Sequence, residues 1–479
     1  MKLHTQIKKI LSDRYTPVSL YMNLRDHYQK PLLLESCDYN SRVGHYSYIC
    51  LNPLADITLK GGVLKTISGL AENSNKVFNS EEIIRQLNAF YKSFEFEKQQ
   101  LDFCYGGLFG FMAYDAIPYF EDIRFNREKE LDLPEMYYAC YSLLLVFDHH
   151  SDSLYLISHA IDNKQCQIQL SELEQKIKSG KEVCYPFSVI GAEEVNCTDD
   201  EFQAMVEKAK HHCQAGDVFQ LVLSKRFSQK FAGDEFNVYR ALRNLNPSPY
   251  LFYFDLGNYK FFGSSPEAQL VINNQSAEIH PIAGTYKRTG DDAQDTENAA
   301  QLFHDPKEKS EHMMLVDLAR NDLSKYCKQV TVKKLAQIQF YSHVIHLVSK
   351  VEGQLKDEFS PFELLTGTFP AGTLSGAPKY RAMELIEEME QTSREFYGGC
   401  IGFISHCGKV NHAIMIRTFS SKDYCLTYQA GAGIVINSNP ENENNEIYNK
   451  TRALKRAVQH AEKFNNITNQ ISHEIISVG

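Results

Sequence analysis

Along the first 180 residues the apolar positions alternate or gather in short blocks between turn signals, the spacing of strands rather than of long helices. Strands are predicted over residues 46–51, 108–114, 137–147 and 154–158, and a 3.6-residue period predicts helices over 81–91 and 164–178. The stretch from Ser179-Gly180 to Cys197 reads as a linker. Thr198-Asp199-Asp200-Glu201 then sets a capping hydroxyl three residues before a glutamate, a capping box that opens a helix, and Gly216 is suited to end it.

Residues 218–227 follow as a strand with Val218, Gln220, Val222 and Ser224 on one face. Further strands are predicted over 250–256, 267–272 and 277–282. A long buried helix is expected over about 306–323, apolar almost all round except for Glu311, Asp317 and Arg320. Ser375-Gly376-Ala377-Pro378 starts another helix through Glu390. Strands over 397–405, 410–418 and 424–430 come next, and the turn His406-Cys407-Gly408-Lys409 is short enough for an antiparallel hairpin. The pattern is α+β with large antiparallel sheets. At 479 residues the chain is long for one hydrophobic core, so two domains or one large intergrown one are expected.

Composition changes this picture little. The net charge of −10 comes with no basic block, which argues against nucleic acid or an anionic membrane as partner. The N-terminus has no apolar signal core and no later run is long enough to span a bilayer. The 12 cysteines include no Cys-x-x-Cys, so reduced thiols in the cytoplasm are the expectation.

The chemistry concentrates in the C-terminal half. In Asn439-Pro440-Glu441-Asn442-Glu443-Asn444-Asn445-Glu446-Ile447-Tyr448-Asn449-Lys450, Asn439 can cap a helix and Pro440 suits its first position. Glu443, Glu446 and Lys450 then share one face, able to hold a hard cation beside a substrate anion; the plainer reading is an acidic first turn favoured by the helix dipole. Glu311, on its apolar helix, needs a partner, either Arg320 or another base in a salt bridge, or Mg²⁺ shared with Glu443 and Glu446. Arg417, read on a strand over 412–418, either pairs with a protein acid or grips a substrate carboxylate. Gly431-Ala432-Gly433 and Ala283-Gly284-Thr285 let backbone N–H groups approach an anion, though glycines end strands for many reasons. Thr373 lies in a Gly-rich turn that is either a plain cap or an anion-facing loop, and His346, in an apolar strand, is either a satisfied core residue or a catalyst.

In order and spacing, five motifs resemble the chorismate-utilising enzymes, most closely the large subunits of anthranilate synthases. They are Pro281-Ile282-Ala283-Gly284-Thr285, the Glu311 helix, the Thr373 loop, Tyr397-Gly398-Gly399-Cys400-Ile401-Gly402, and Gly431 to Arg452. The resemblance implies a β-sandwich-like core with helices packed outside. It implies an N-terminal domain over 1–180 and a chorismate-binding catalytic domain over 198–465. It also implies Mg²⁺ at Glu311, Glu443 and Glu446, and a chorismate pocket formed by Gly284, Thr285, Tyr397, Arg417, Gly431, Ala432, Gly433 and Lys450. Glu267 matches the family's general acid and should have a pKa raised by burial, while Thr373 and His346 match positions lining the reacting ring.

Gln220 stands where isochorismate and salicylate synthases carry a lysine base, and Ala283 where aminodeoxychorismate synthases usually carry a nucleophilic lysine. Both absences point to direct attack by ammonia; no Gly-x-Cys-x-Gly nucleophile motif is present, so the ammonia comes from a glutamine amidotransferase partner, in a hetero-oligomer, or from solution. The alternatives are an aminodeoxychorismate synthase of the lysine-free kind and a non-catalytic chorismate or tryptophan sensor. Glu35 and Ser36, with Pro249, Tyr250 and Leu251, resemble the family's site for tryptophan as feedback inhibitor. The chain itself contains no tryptophan among 27 Tyr and 29 Phe, which fits synthesis when tryptophan is scarce. Tyr286-Lys287-Arg288 departs from the family's usual Arg-Pro-Arg.

Overall fold

A computed structural model of the full chain describes residues 1–36, 46–69, 71–77, 79–340, 344–356 and 358–470. The architecture is α+β, and its frame is a branched antiparallel sheet. At its centre the long strands Tyr46–Lys60 and Met136–Asp148 pair over most of their length. From Tyr46–Lys60 one arm runs through Leu32–Glu35, Tyr250–Asp255, Tyr259–Ser265, Thr418–Lys422 and Cys425–Ile434 to Gln220–Gly233. From Met136–Asp148 the other arm runs through Gly107–Met112, Cys400–Ser405, Val410–Ile414, Ala268–Asn273 and Ser276–Ile279 to Val344–Leu355.

The two arms share a core. Phe252, Phe254 and Phe261 of the first interleave with Phe109, Phe111 and Ile401 of the second. Two further clusters lie under the helices. One gathers residues of the first arm with Phe236–Leu245, Asp199–Ala215 and Pro440–Gln470; the other gathers the second arm with Ser80–Lys92, Pro306–Ser324 and Pro361–Thr368. The result is a sandwich-like sheet with helices outside, and each cluster draws on both halves of the sequence.

Local signals account for most elements. The Thr198–Glu201 capping box forms with both reciprocal bonds, and Gly216 ends that helix in the left-handed region. Asn439 caps the last helix through its side-chain oxygen, and the 406–409 turn closes a hairpin.

Five expectations are corrected. The stretch read as a linker contains the edge strand Phe187–Val195, whose mostly exposed side chains gave it a linker-like composition. The strand predicted over 277–282 divides into Ser276–Ile279 and Ile282–Lys287, because Pro281 has no N–H for the ladder. The predicted 410–418 strand divides into Val410–Ile414 and Thr418–Lys422, which belong to different arms. The helix expected from Ser375 begins at Lys379, since Gly376–Ala377 pairs with Gln220 and Leu221. The helix Pro306–Ser324 is amphipathic rather than buried all round, with Met313, Asp317 and Arg320 at the surface. Among the described residues no helix is long and apolar enough to cross a membrane.

Candidate active site

Two segments of chain cross from one arm of the sheet to the other, and the site is built where they cross. Glu267 lies between Tyr259–Ser265 of the first arm and Ala268–Asn273 of the second. Arg417 lies between Val410–Ile414 of the second arm and Thr418–Lys422 of the first. A strand that changes sheets must bend at the corner. Arg417 therefore occupies a bend with φ of +49°, and not the strand expected from its apolar neighbours. Its carbonyl accepts the Ser264 N–H (3.1 Å), and the Glu267 carbonyl accepts the Ile414 N–H (3.0 Å), which tie the two crossings together.

The Glu267 side chain is 8% exposed. Thr373 donates its hydroxyl to Oε1 at 3.1 Å. Burial pushes the carboxyl up to about pKa 8, against the smaller opposing effects of the Thr373 bond and of the Lys450 and Arg417 charges. A carboxyl in this state still carries its proton at neutral pH. For Arg417, desolvation lowers the guanidinium pKa and the neighbouring Glu267 raises it.

His346 projects from Val344–Leu355 opposite Thr285, and its Nδ1 lies 2.8 Å from the Gly284 carbonyl. That carbonyl can only accept, so Nδ1 carries the hydrogen and Nε2 is the basic nitrogen. Burial, aided by the Arg417 charge, lowers the imidazole to about 4, so the ring is neutral at physiological pH. Gly284 sits in a bulge at φ +68°, and a Cβ there would meet Leu302 at 2.6 Å, which explains the glycine. Thr285 stands beside it in the strand, and its side chain lies outside the described residues.

The glycines of Cys425–Ile434 are required by close approach. A Cβ on Gly431 would fall 2.8 Å from the Tyr397 hydroxyl, and one on Gly433 would fall 2.4 Å from Gln220 Nε2 and 3.7 Å from Glu311 Oε1. Ala432, between them, is fully buried. Lys450 donates to the Gly431 carbonyl (2.8 Å) and pairs with Glu446 (2.6 Å). Glu443, one turn earlier, is buried.

Glu311 does not pair with Arg320, which faces Asp317 at 3.0 Å on the exposed side of the helix. It accepts instead from Gln220 Nε2 at 2.8 Å. Among the described residues no group of three or more His, Cys, Asp or Glu is arranged to hold a metal ion by protein ligands alone.

One buried group had no sequence signal. Arg394 makes two bonds to Glu390 (2.7 and 2.9 Å) and donates to the Leu374 and Val222 carbonyls (2.6 and 2.7 Å). Its guanidinium also lies over the Tyr114 and Tyr397 rings. It thus holds together the Thr373 loop, the Gln220 strand and Tyr397. It stands in the polar run Thr392-Ser393-Arg394-Glu395, where neither period marks it as buried.

The second set of expected residues also meets, away from these. Glu35 and Leu251 are cross-strand partners, Ser36 follows at the strand end, and Pro249 and Tyr250 lead into the facing strand. Glu35 is 5% exposed and bound by Tyr239 (2.6 Å) and Arg243 (2.9 and 3.0 Å), which lie one turn apart on the helix Phe236–Leu245. Leu251 in turn pairs with Ser264, the residue bonded to Arg417.

Known proteins resemble this chain over nearly its whole length. A family model described as chorismate binding enzyme matches residues 30–456. Anthranilate synthase component 1 of Aquifex aeolicus (strain VF5) is 36% identical over 473 residues, covering 95% of this chain and 94% of the relative. That of Bacillus subtilis (strain 168) is 37% identical over 474 residues, covering 94% and 91%. Among solved structures, anthranilate synthase component I from Streptococcus pneumoniae TIGR4 superposes with a TM-score of 0.76 at 32% identity, over 93% of this chain and 99% of that one. The menaquinone-specific isochorismate synthase of Escherichia coli superposes at 0.74 with 20% identity, over 95% and 94%, a likeness of fold alone.

Proposed function

The chain belongs to the family of chorismate binding enzymes, in the company of the anthranilate synthase components 1, and we propose that it converts chorismate and ammonia to anthranilate and pyruvate. The observation that carries this reading is a buried carboxyl, Glu267, bonded to the Thr373 hydroxyl, whose pKa burial raises against the opposing charges of Lys450 and Arg417. Chorismate brings two carboxylates and a hydroxyl that must leave. Arg417 and Lys450 suit the carboxylates. Glu267, positioned by Thr373, gives its proton to the C4 hydroxyl, which departs as water while ammonia adds at C2. Help of this kind is typically worth ~10²–10⁴ in rate. Removal of the C2 proton with loss of pyruvate then restores the aromatic ring. His346, neutral and fixed through Nδ1, is suited to assist that elimination.

Gln220 favours ammonia over water, because a neutral amide engaged with Glu311 cannot deprotonate a nucleophile. Ala283 offers no amine for a covalent adduct. Glu311 and Glu446, with Glu443 near, would hold Mg²⁺. Hard carboxylate oxygens on two helices, too few for a protein-only cage, suit an ion completed by waters and substrate oxygens. When bound, the ion would neutralise a substrate carboxylate. The ammonia would come from a glutamine amidotransferase partner in a hetero-oligomer in the cytoplasm. Tryptophan would bind at Glu35, Ser36 and Pro249–Leu251 as a feedback inhibitor.

Purified protein incubated with chorismate, Mg²⁺ and an ammonium salt tests the reading. Fluorescent anthranilate is expected, absent when Mg²⁺ is chelated. Accumulation of a non-aromatic amine contradicts it and favours the aminodeoxychorismate alternative. Initial rates unmoved by saturating tryptophan would remove the regulatory part alone.

A further inference from the structure

Behind Glu267, on the side toward the Glu311 helix, lies a cleft of about 360 Å³ including its open mouth. Leu315, Leu318 and Ala319 of that helix and Ile279 and Pro281 of the sheet give it apolar walls. A polar track runs along them. At one end stand Glu267 and Thr373; in the middle is Gln269; at the other end is Asp322, paired with Lys379 at 2.6 Å.

Gln269 is the informative residue. It is 2% exposed and donates Nε2 to the Thr368 carbonyl (3.1 Å), a carbonyl that also accepts from Lys379 (3.2 Å). Its own carbonyl oxygen, Oε1, is buried without a hydrogen-bond partner. Leaving a buried acceptor unsatisfied is costly, so such an atom beside a cleft with room for solvent is a water site. Apart from its open mouth, the cleft has room for roughly two or three waters.

We infer that this cleft is a water chamber serving the general acid: its ligand is a short chain of water molecules anchored on Gln269 Oε1, running from Glu267 to the Asp322–Lys379 end. The inference rests on the acid role proposed for Glu267. Each turnover there cleaves the C4–O bond. The departing hydroxyl takes the Glu267 proton and becomes water, and a carboxylate remains. The new water enters the chain, and the carboxylate recovers a proton from the nearest chamber water, which is recharged from solvent at the Asp322 end. Ammonia forms the C2–N bond as the C4–O bond breaks and its nitrogen then sheds one proton to solvent, so atoms and charge balance with no other reactant. A conduit for the ammonia nucleophile is the less suited reading, since the cleft adjoins the acid and Gln220 does not line it.

A crystal structure of the full chain without substrate, resolved well enough to show solvent, is the direct test. Ordered water bonded to Gln269 Oε1 is expected, and a dry cleft overturns the inference. Steady-state kinetics of Gln269→Leu and of Ala319→Leu, which narrows the cleft from the opposite wall, form the second arm. Each should lower kcat on the order of tenfold, with an enlarged solvent deuterium effect and an unchanged KM for chorismate. Unchanged kcat in the folded variants overturns the conduit while leaving the acid in place. Wild-type protein that makes no anthranilate refutes the underlying function instead.

Discussion

Two buried carboxylates in this molecule are treated in opposite ways. Glu35, 5% exposed, is met by the Arg243 guanidinium and the Tyr239 hydroxyl. Glu267, 8% exposed, receives one hydroxyl from Thr373 and forms no ion pair among the described residues. Burial penalises a lone charge in either place. Where the surroundings compensate it, the carboxylate becomes a strut between a strand and a helix. Where they do not, the group keeps its proton near neutral pH, which is the state an acid catalyst needs.

The difference can be broken from either side. The largest effect is expected from Glu267→Gln, which keeps the shape and removes the transferable proton. Turnover followed by anthranilate fluorescence should fall by ~10²–10⁴, while a chorismate titration shows binding retained. Arg243→Met leaves Glu35 buried with half its support. Because Arg243 is itself partly exposed, the expected loss is about 1–3 kcal/mol, read from the urea midpoint, with turnover in the absence of tryptophan little changed.

Glu267→Gln should also act on stability, with a sign set by the raised pKa. The folded state holds the Glu267 proton up to about pH 8 and the unfolded chain releases it near 4.5, so wild-type stability contributed by this group declines as pH rises between those values. The melting temperature of Glu267→Gln relative to wild type should therefore rise from pH 5 to pH 8.5, and a difference flat with pH would contradict the assignment. The smallest effect belongs to Thr373→Val. Its hydroxyl favours the charged carboxylate, so losing it should move the alkaline limb of the pH–rate profile upward by roughly half to one unit.

Much of the site was legible in the sequence, for reasons that differ by residue. Glu446 and Lys450 were readable because helical spacing is local and Asn439-Pro440 announces where the helix begins. Glu35 and Leu251 were placed together by family likeness, and the register of their strands agrees. The crossing at Arg417 was hidden because residues 410–418 are apolar throughout, and alternation does not tell which sheet a strand joins. The hydrogen-bond partner of Glu311 was hidden for a related reason. Arg320 is near in sequence, whereas Gln220 is 91 residues away and reaches Glu311 only through the folded sheet. Arg394 carried no signal, since burial in a polar run depends on partners that come from three distant segments. Tyr239 and Arg243 had one unused clue, their i, i+4 spacing on a helix.

The central claim is that the Glu267 carboxyl keeps its proton near neutral pH because it is buried and unpaired. Isotope-edited infrared difference spectra of ¹³C-glutamate-labelled wild type minus Glu267→Gln, recorded across pH without substrate, read that state directly. The account predicts a protonated carboxyl band that persists through pH 7 and titrates away near pH 8. A carboxylate already ionised at pH 6, as for an ordinary glutamate, would contradict it.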